Sequence, residues 1–218
     1  MTRGAMRGVL TALLVMLAAA PAFAQQDRGR RLFPPEELGV LEGPDRDAWQ
    51  KPDLIMDALR VGEGSVVADV GAGGGWFTVR LARRVGPNGT VYAQDVQATM
   101  LEAIGRRVQR EGYLNVKPVR GEADDPKLPS GALDAALIVD SYHEFPNPVA
   151  LLSKLAASLK PGGRIGIVNF SKDGGGPGPP MSDRPDPQKV IDEAGQAGLR
   201  LVSRESFLDF QYLLIFGR

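Results

Sequence analysis

Apolar positions along this chain follow two alternating rhythms. Short continuous runs are separated by segments whose apolar residues recur three and four apart. Val66–Val70 and residues 90–94 and 116–119 read as strands, and Leu133–Val139, the most continuous run, fits the centre of a parallel sheet. Between them, Trp76–Val85 is helical, and Met100, Leu101, Ile104 and Val108 mark the apolar face of the next helix. Leu151, Leu152, Leu155 and Leu159 mark another, which residues 160–163 (KPGG) stop before a strand over 164–170. Upstream, residues 47–60 carry helical spacing at Leu54, Ile55, Ala58 and Leu59, with Pro52 near the start. Downstream, the glycines and prolines of 171–187 predict a surface loop, followed by a helix near 187–197. The chain closes with strand-like runs at 199–206 and 210–216, and the link between them is too short for a parallel crossover. These elements predict an α/β doubly wound sheet of seven strands with an antiparallel last strand.

The N-terminus obeys a different pattern. Arg3 and Arg7 precede an apolar run over 9–20, shorter than the ~20 residues of a membrane span. Pro21 breaks that run, and Ala22-Phe23-Ala24 has the small-x-small form of a leader cleavage site. The expectation is a signal peptide over 1–24, cleaved after Ala24, then a flexible linker or arm over 25–45, then one domain over 46–218. That places the mature protein in the periplasm or outside the cell, with no stable membrane span after cleavage. The alternative is an uncleaved N-terminal membrane anchor.

Composition narrows the chemistry. The 218 residues are 43% apolar, enough for one core. Basic and acidic residues balance at 26 each, without the basic excess that nucleic-acid binding leaves. The absence of cysteine excludes disulfides, thiolate nucleophiles and cysteine–metal sites.

The most informative stretch is VVADVGAGGGWFTVRLA, residues 66–82, where a strand runs into glycines and then into a helix. Glycines there let the backbone turn tightly and let a ligand approach without a Cβ in the way. A dinucleotide fingerprint would place a third glycine where Trp76 stands. The pattern present is D-x-G-x-G-x-G, at Asp69, Gly71, Gly73 and Gly75. An acid beside this loop suits a ligand bearing an ammonium or sulfonium charge better than a pyrophosphate.

In these residues the chain resembles the class I S-adenosylmethionine-dependent methyltransferases, which have a Rossmann-like fold. The resemblance covers about residues 50–218 and includes Asp134 in the fourth strand, LKPGGRIGIV at 159–168 and the final hairpin. It implies S-adenosylmethionine as cofactor, with Asp69, Gly71, Ala72, Gly73 and Gly75 around its methionine part. Asp95, ending the second strand, would grip the ribose, and Glu122 and Ala123, after the third, would lie near the adenine. Asp124 and Asp125 could take the last role instead, and Asp95 could be a plain helix cap.

Catalysis would sit at the end of the fourth strand, where the chain reads Asp140-Ser141-Tyr142-His143-Glu144. His143, the one histidine, titrates near neutrality as a residue type and is the candidate base. Asp140, Tyr142 and Glu144 are candidates to orient it or to touch substrate, and a merely structural His143 is the alternative. Asp140 and Asn169 end neighbouring strands, but two such groups are too few for a metal site. Residues 46–51, with Trp49, and the loop 171–187 could cover the cofactor and select the acceptor, although Trp49 could equally be a packing residue and the loop a plain surface insertion. The expected function is methyl transfer to a small molecule or envelope component. The alternatives are a non-catalytic module binding an adenosyl ligand, and a nucleotide-dependent oxidoreductase, which Asp69 and Trp76 argue against. The sequence leaves the oligomeric state open.

Overall fold

The computed structural model describes Met1 and residues 32–218. The expected leader and the first residues of the expected arm lie outside the described residues.

Seven strands form one sheet: β1 (Val66–Val70), β2 (Thr90–Asp95), β3 (Val116–Arg120), β4 (Leu133–Val139), β5 (Leu159–Phe170), β6 (Arg200–Glu205) and β7 (Gln211–Gly217). Their spatial order is β3-β2-β1-β4-β5-β7-β6. The first five strands run parallel, and β7 lies antiparallel between β5 and β6. The sheet therefore has the predicted doubly wound form with an antiparallel end.

Among the described residues, six α-helices cover it: α1 (Arg46–Gln50), α2 (Pro52–Ala58), α3 (Trp76–Val85), α4 (Ala98–Glu111), α5 (Pro148–Ser158) and α6 (Pro187–Gln196). The period-two alternation of the strands sorts their side chains between two cores. Val67, Ala135 and Leu137 face α2 and α3, packing on Ile55, Met56, Phe77, Leu81 and Val85. Ala68, Val70, Ala136 and Ile138 face α5 and α6, packing on Leu151, Leu152, Leu155, Val190 and Ala194. Two helices start on side-chain caps. Asn147 accepts the Ala150 N–H ahead of α5, and Asp186 accepts the Gln188 N–H ahead of α6, each with proline in the first turn.

Two elements differ from expectation. The single helix expected over 47–60 breaks at Lys51, which sits at φ 48° between α1 and α2. Pro52 causes this, because its ring disfavours a helical conformation in the residue before it. Lys51 turns this to use, donating its Nζ to the Phe207 carbonyl at 2.7 Å. The KPGG segment, expected as a turn, lies inside β5, where the register with β4 shifts between Leu133 and Ala135. Asp134 anchors this end of the sheet, accepting from Val66 N at 2.8 Å and Lys160 Nζ at 2.7 Å.

Leu152 is fully buried among α5, α6 and the sheet. Leu152→Ala should lower unfolding stability by about 2–5 kcal/mol in chemical denaturation.

Candidate active site

The parallel strands end together at one sheet edge, and the chain leaves β1 through the glycine loop. Gly71, Gly73 and Gly75 have φ of 68°, 53° and 81°, a region L side chains avoid. The loop is fastened to β2: the Gly71 and Ala72 N–H groups both donate to the Gln94 carbonyl at 2.9 Å. Asp95, at the end of β2, accepts the Gly73 N–H on Oδ2 at 3.0 Å and the Gln97 N–H on Oδ1 at 2.9 Å. A Cβ at Gly71 would strike the Ser141 side chain, whereas a Cβ at Gly73 would meet nothing within 4 Å. Gly73 therefore opens onto free space, as a backbone cradle for a ligand must.

That space is a cavity of about 940 Å³. Asp69, Gly71, Ala72, Gly73, Asp95, Glu122, Ala123, Asp140 and His143 all line it. Gly75 is absent from the wall, serving instead as the left-handed residue that starts α3. Tyr142 is also off the wall. It is buried in the core facing α5 and α6, and its hydroxyl donates to Glu193 at 2.7 Å. Asn169 is buried and likewise lies off the cavity. Asp124 and Asp125 do not reach the wall either.

The segment expected as part of a flexible arm is docked from residue 32 onward. A 3-10 helix spans Pro35–Glu42, and Leu32, Phe33, Leu38 and Val40 line the cavity. Phe33 donates its N–H to Glu144 and accepts from Gln97 Nε2 through its carbonyl, at 3.3 and 3.0 Å. Glu42 pairs with Arg107, which also donates to the Gly74 carbonyl.

The floor is acidic. Burial lifts the Asp69 carboxyl to about 6, although it accepts the Thr78 hydroxyl at 2.6 Å. Burial also lifts Asp140 to about 6, against the opposing pull of Arg46. It lifts Glu144 to about 7, with the Asp95 charge adding to the rise. Both Asp140 oxygens accept from Gln211 Nε2, at 2.8 and 2.9 Å, and Oδ2 also accepts from Gln50 Nε2 at 3.2 Å. Arg46 donates to Gln50 and stacks 4.2 Å from the centroid of Trp76, which also carries the Arg80 guanidinium at 3.4 Å. Residues 46–51 were legible in the sequence only as a covering segment, and Gln211 not at all; the pairing of Arg46, Gln50 and Gln211 around Asp140 was not, because only the fold brings α1 and β7 to the end of β4.

A methyltransferase domain model matches residues 67–163. Protein-L-isoaspartate O-methyltransferase of Methanothrix thermoacetophila is 30% identical over an alignment of 156 positions that covers 66% of this chain and 71% of that protein. The chain belongs to the class I S-adenosylmethionine-dependent methyltransferases. A S-adenosylmethionine-dependent methyltransferase of Aquifex aeolicus superposes with a TM-score of 0.80 at 27% identity, covering 84% of this chain and 98% of that one. Nocamycin O-methyltransferase of Saccharothrix syringae is 33% identical over 130 residues, 60% of this chain and 44% of that protein. The chain spans about half the length of the first such relatives. The cofactor of this methyltransferase family is S-adenosylmethionine. The open cradle at Gly73 and the strand-end carboxylate of Asp95 fit that molecule's zwitterionic end and its ribose diol.

The raised carboxyls give a pH signature. Glu144 is protonated to a higher pH in the folded chain than its ordinary 4.5, so its favourable contribution fades as pH rises through about 7. Glu144→Gln should therefore gain stability relative to the parent between about pH 5 and about pH 8, on the order of 2 kcal/mol, in denaturant melts at the two pH values.

Proposed function

We propose that this protein transfers a methyl group from S-adenosylmethionine to a small-molecule or envelope acceptor. One observation carries the reading: a single cavity joins the glycine loop and Asp95 to Asp140 and His143. Gly71, Ala72, Gly73 and Asp69 would hold the methionine part, Asp95 the ribose, and Glu122 with Ala123 the adenine end. The bound cofactor supplies a methyl carbon activated by its sulfonium sulfur. The protein supplies alignment of the acceptor and exclusion of water. Leu32, Phe33, Leu38 and Val40 line the cavity and would cover a bound cofactor. Asp140 and His143, at the end of β4, orient the acceptor and take up a proton when it carries one.

We further propose that the chain is exported and matures by cleavage after Ala24. Among the described residues no helix is long and apolar enough to cross a membrane. N-terminal sequencing of the native protein should begin at Gln25, and an intact Met1 would overturn export by cleavage.

The cofactor reading is tested by calorimetric titration with S-adenosylmethionine and with S-adenosylhomocysteine. Asp95→Ala removes an acceptor of two backbone N–H groups and the expected partner of the ribose. It should weaken binding of both ligands by about 10- to 100-fold. Failure of the folded parent to bind either one would sink the proposal.

A further inference from the structure

The cavity stands over two parts of the sheet, and the second part is built for a different ligand. Over β1–β3 lie the glycine loop, Asp95 and Glu122. Over β4 and β5 lie Asp140 and Phe170, with Trp49, Pro177, Gly178 and Pro179 completing the wall. The Trp49 ring packs 5.6 Å from the Phe170 centroid and 6.3 Å from that of Phe210. Trp49 and Phe170 thus give this compartment an aromatic lining.

The loop that supplies the prolines is a constructed wall rather than a slack insertion. Arg184, 5% exposed, donates to three backbone carbonyls: Ser171 at 2.8 Å, Gly175 at 2.9 Å and Pro179 at 3.0 Å. Its guanidinium lies 5.2 Å from the Phe170 ring centroid. Gly178, at φ +126°, passes so near Phe170 that a Cβ would sit 2.7 Å from the ring. Gly176, at φ +70°, lies as tightly against Phe210. Glycines press the backbone onto the rings, and one arginine gathers the carbonyls behind them.

One polar group on this floor stands out. Asp140 holds φ +55°, and two glutamine amides fix both of its oxygens. A carboxylate offers about four lone-pair sites, so capacity remains for a donor from a ligand. Arg46 and Arg184 already face Asp140 with positive charge, and His143 and Glu144 stand beside it on the cavity wall. A cationic acceptor would meet the Arg46 guanidinium on the wall and the Arg184 charge behind it, and an anionic one would meet Asp140 and Glu144. A neutral hydrogen-bond donor suits both conditions.

We propose that this compartment takes a neutral, ring-bearing acceptor whose hydroxyl donates to Asp140, with Arg184 as the positioning residue that holds the acceptor wall. The inference rests on the methyltransferase reading only in leaving the space over β1–β3 to the cofactor.

Calorimetry of the full chain tests it, in the presence and absence of S-adenosylhomocysteine, with naphthol, naphthalene, naphthoate and naphthylmethylammonium as probes. Naphthol should bind at least about tenfold tighter than each of the others. Arg184→Ala should weaken naphthol by about tenfold while leaving S-adenosylhomocysteine affinity within about twofold, a split that general unfolding would not produce. Asp140→Ala should bring naphthol down to the affinity of naphthalene. Equal binding of naphthol and naphthalene by the parent overturns the inference, as do preference for either charged probe and absence of naphthol binding. An Arg184→Ala variant that retains both affinities overturns the role of the loop. Failure of S-adenosylhomocysteine to bind while the naphthol ranking holds would count against the cofactor reading alone.

Discussion

Asp95 accepts the Gly73 N–H with one oxygen and the Gln97 N–H with the other, and the shape of the cavity depends on that pair of bonds. Four glycines within five residues leave the loop after β1 with little intrinsic preference for one path. The carboxylate selects one, tying the loop to the end of β2 while it still lines the ligand space itself. Because Gln97 precedes α4 and also holds the Phe33 carbonyl, the same anchor reaches the N-terminal segment that lines the cavity. Strand end, glycine loop, helix start and N-terminal segment thus share one point of attachment.

The floor works against stability. Asp69, Asp140 and Glu144 are withdrawn from water, and burial is the leading cause of each raised pKa. Arg46 opposes this at both aspartates, and it is itself held by Gln50 and by the face of Trp76. Trp76 occupies the position where a dinucleotide fold would carry a glycine. Its ring supports the cation that keeps two buried carboxylates tolerable.

Much of this architecture was legible in the sequence, and the reason is local. Strand alternation, helical spacing at Met100, Ile104 and Val108, and the link before β7 each depend on neighbours in the chain. The glycine loop was legible because the turn itself demands that residue type, and Asp95 was singled out by the family resemblance. What escaped notice depends on distant partners. Gln50 and Gln211 are 161 positions apart and meet only through the fold. Tyr142 belongs to a stretch with active-site chemistry, yet its turn sends the ring into the core toward Glu193. Residues 25–45 are rich enough in arginine, proline and glycine to suggest a linker, but Leu32, Phe33 and Leu38 find an apolar cavity to line. No local rhythm announces that.

Asp140 holds a backbone angle that L residues avoid, at the point where the buried carboxylate is needed. Glycine would relieve the strain and also remove the carboxylate, so on the proposed reading the residue best suited to this turn is one that leaves the acceptor without its partner. Selection for a sturdier fold and selection for the proposed reaction would then pull in opposite directions at this position. Directed evolution toward heat resistance, run without a binding screen, would be free to exchange residue 140 for one that relaxes the turn and empties the cavity floor of its acid.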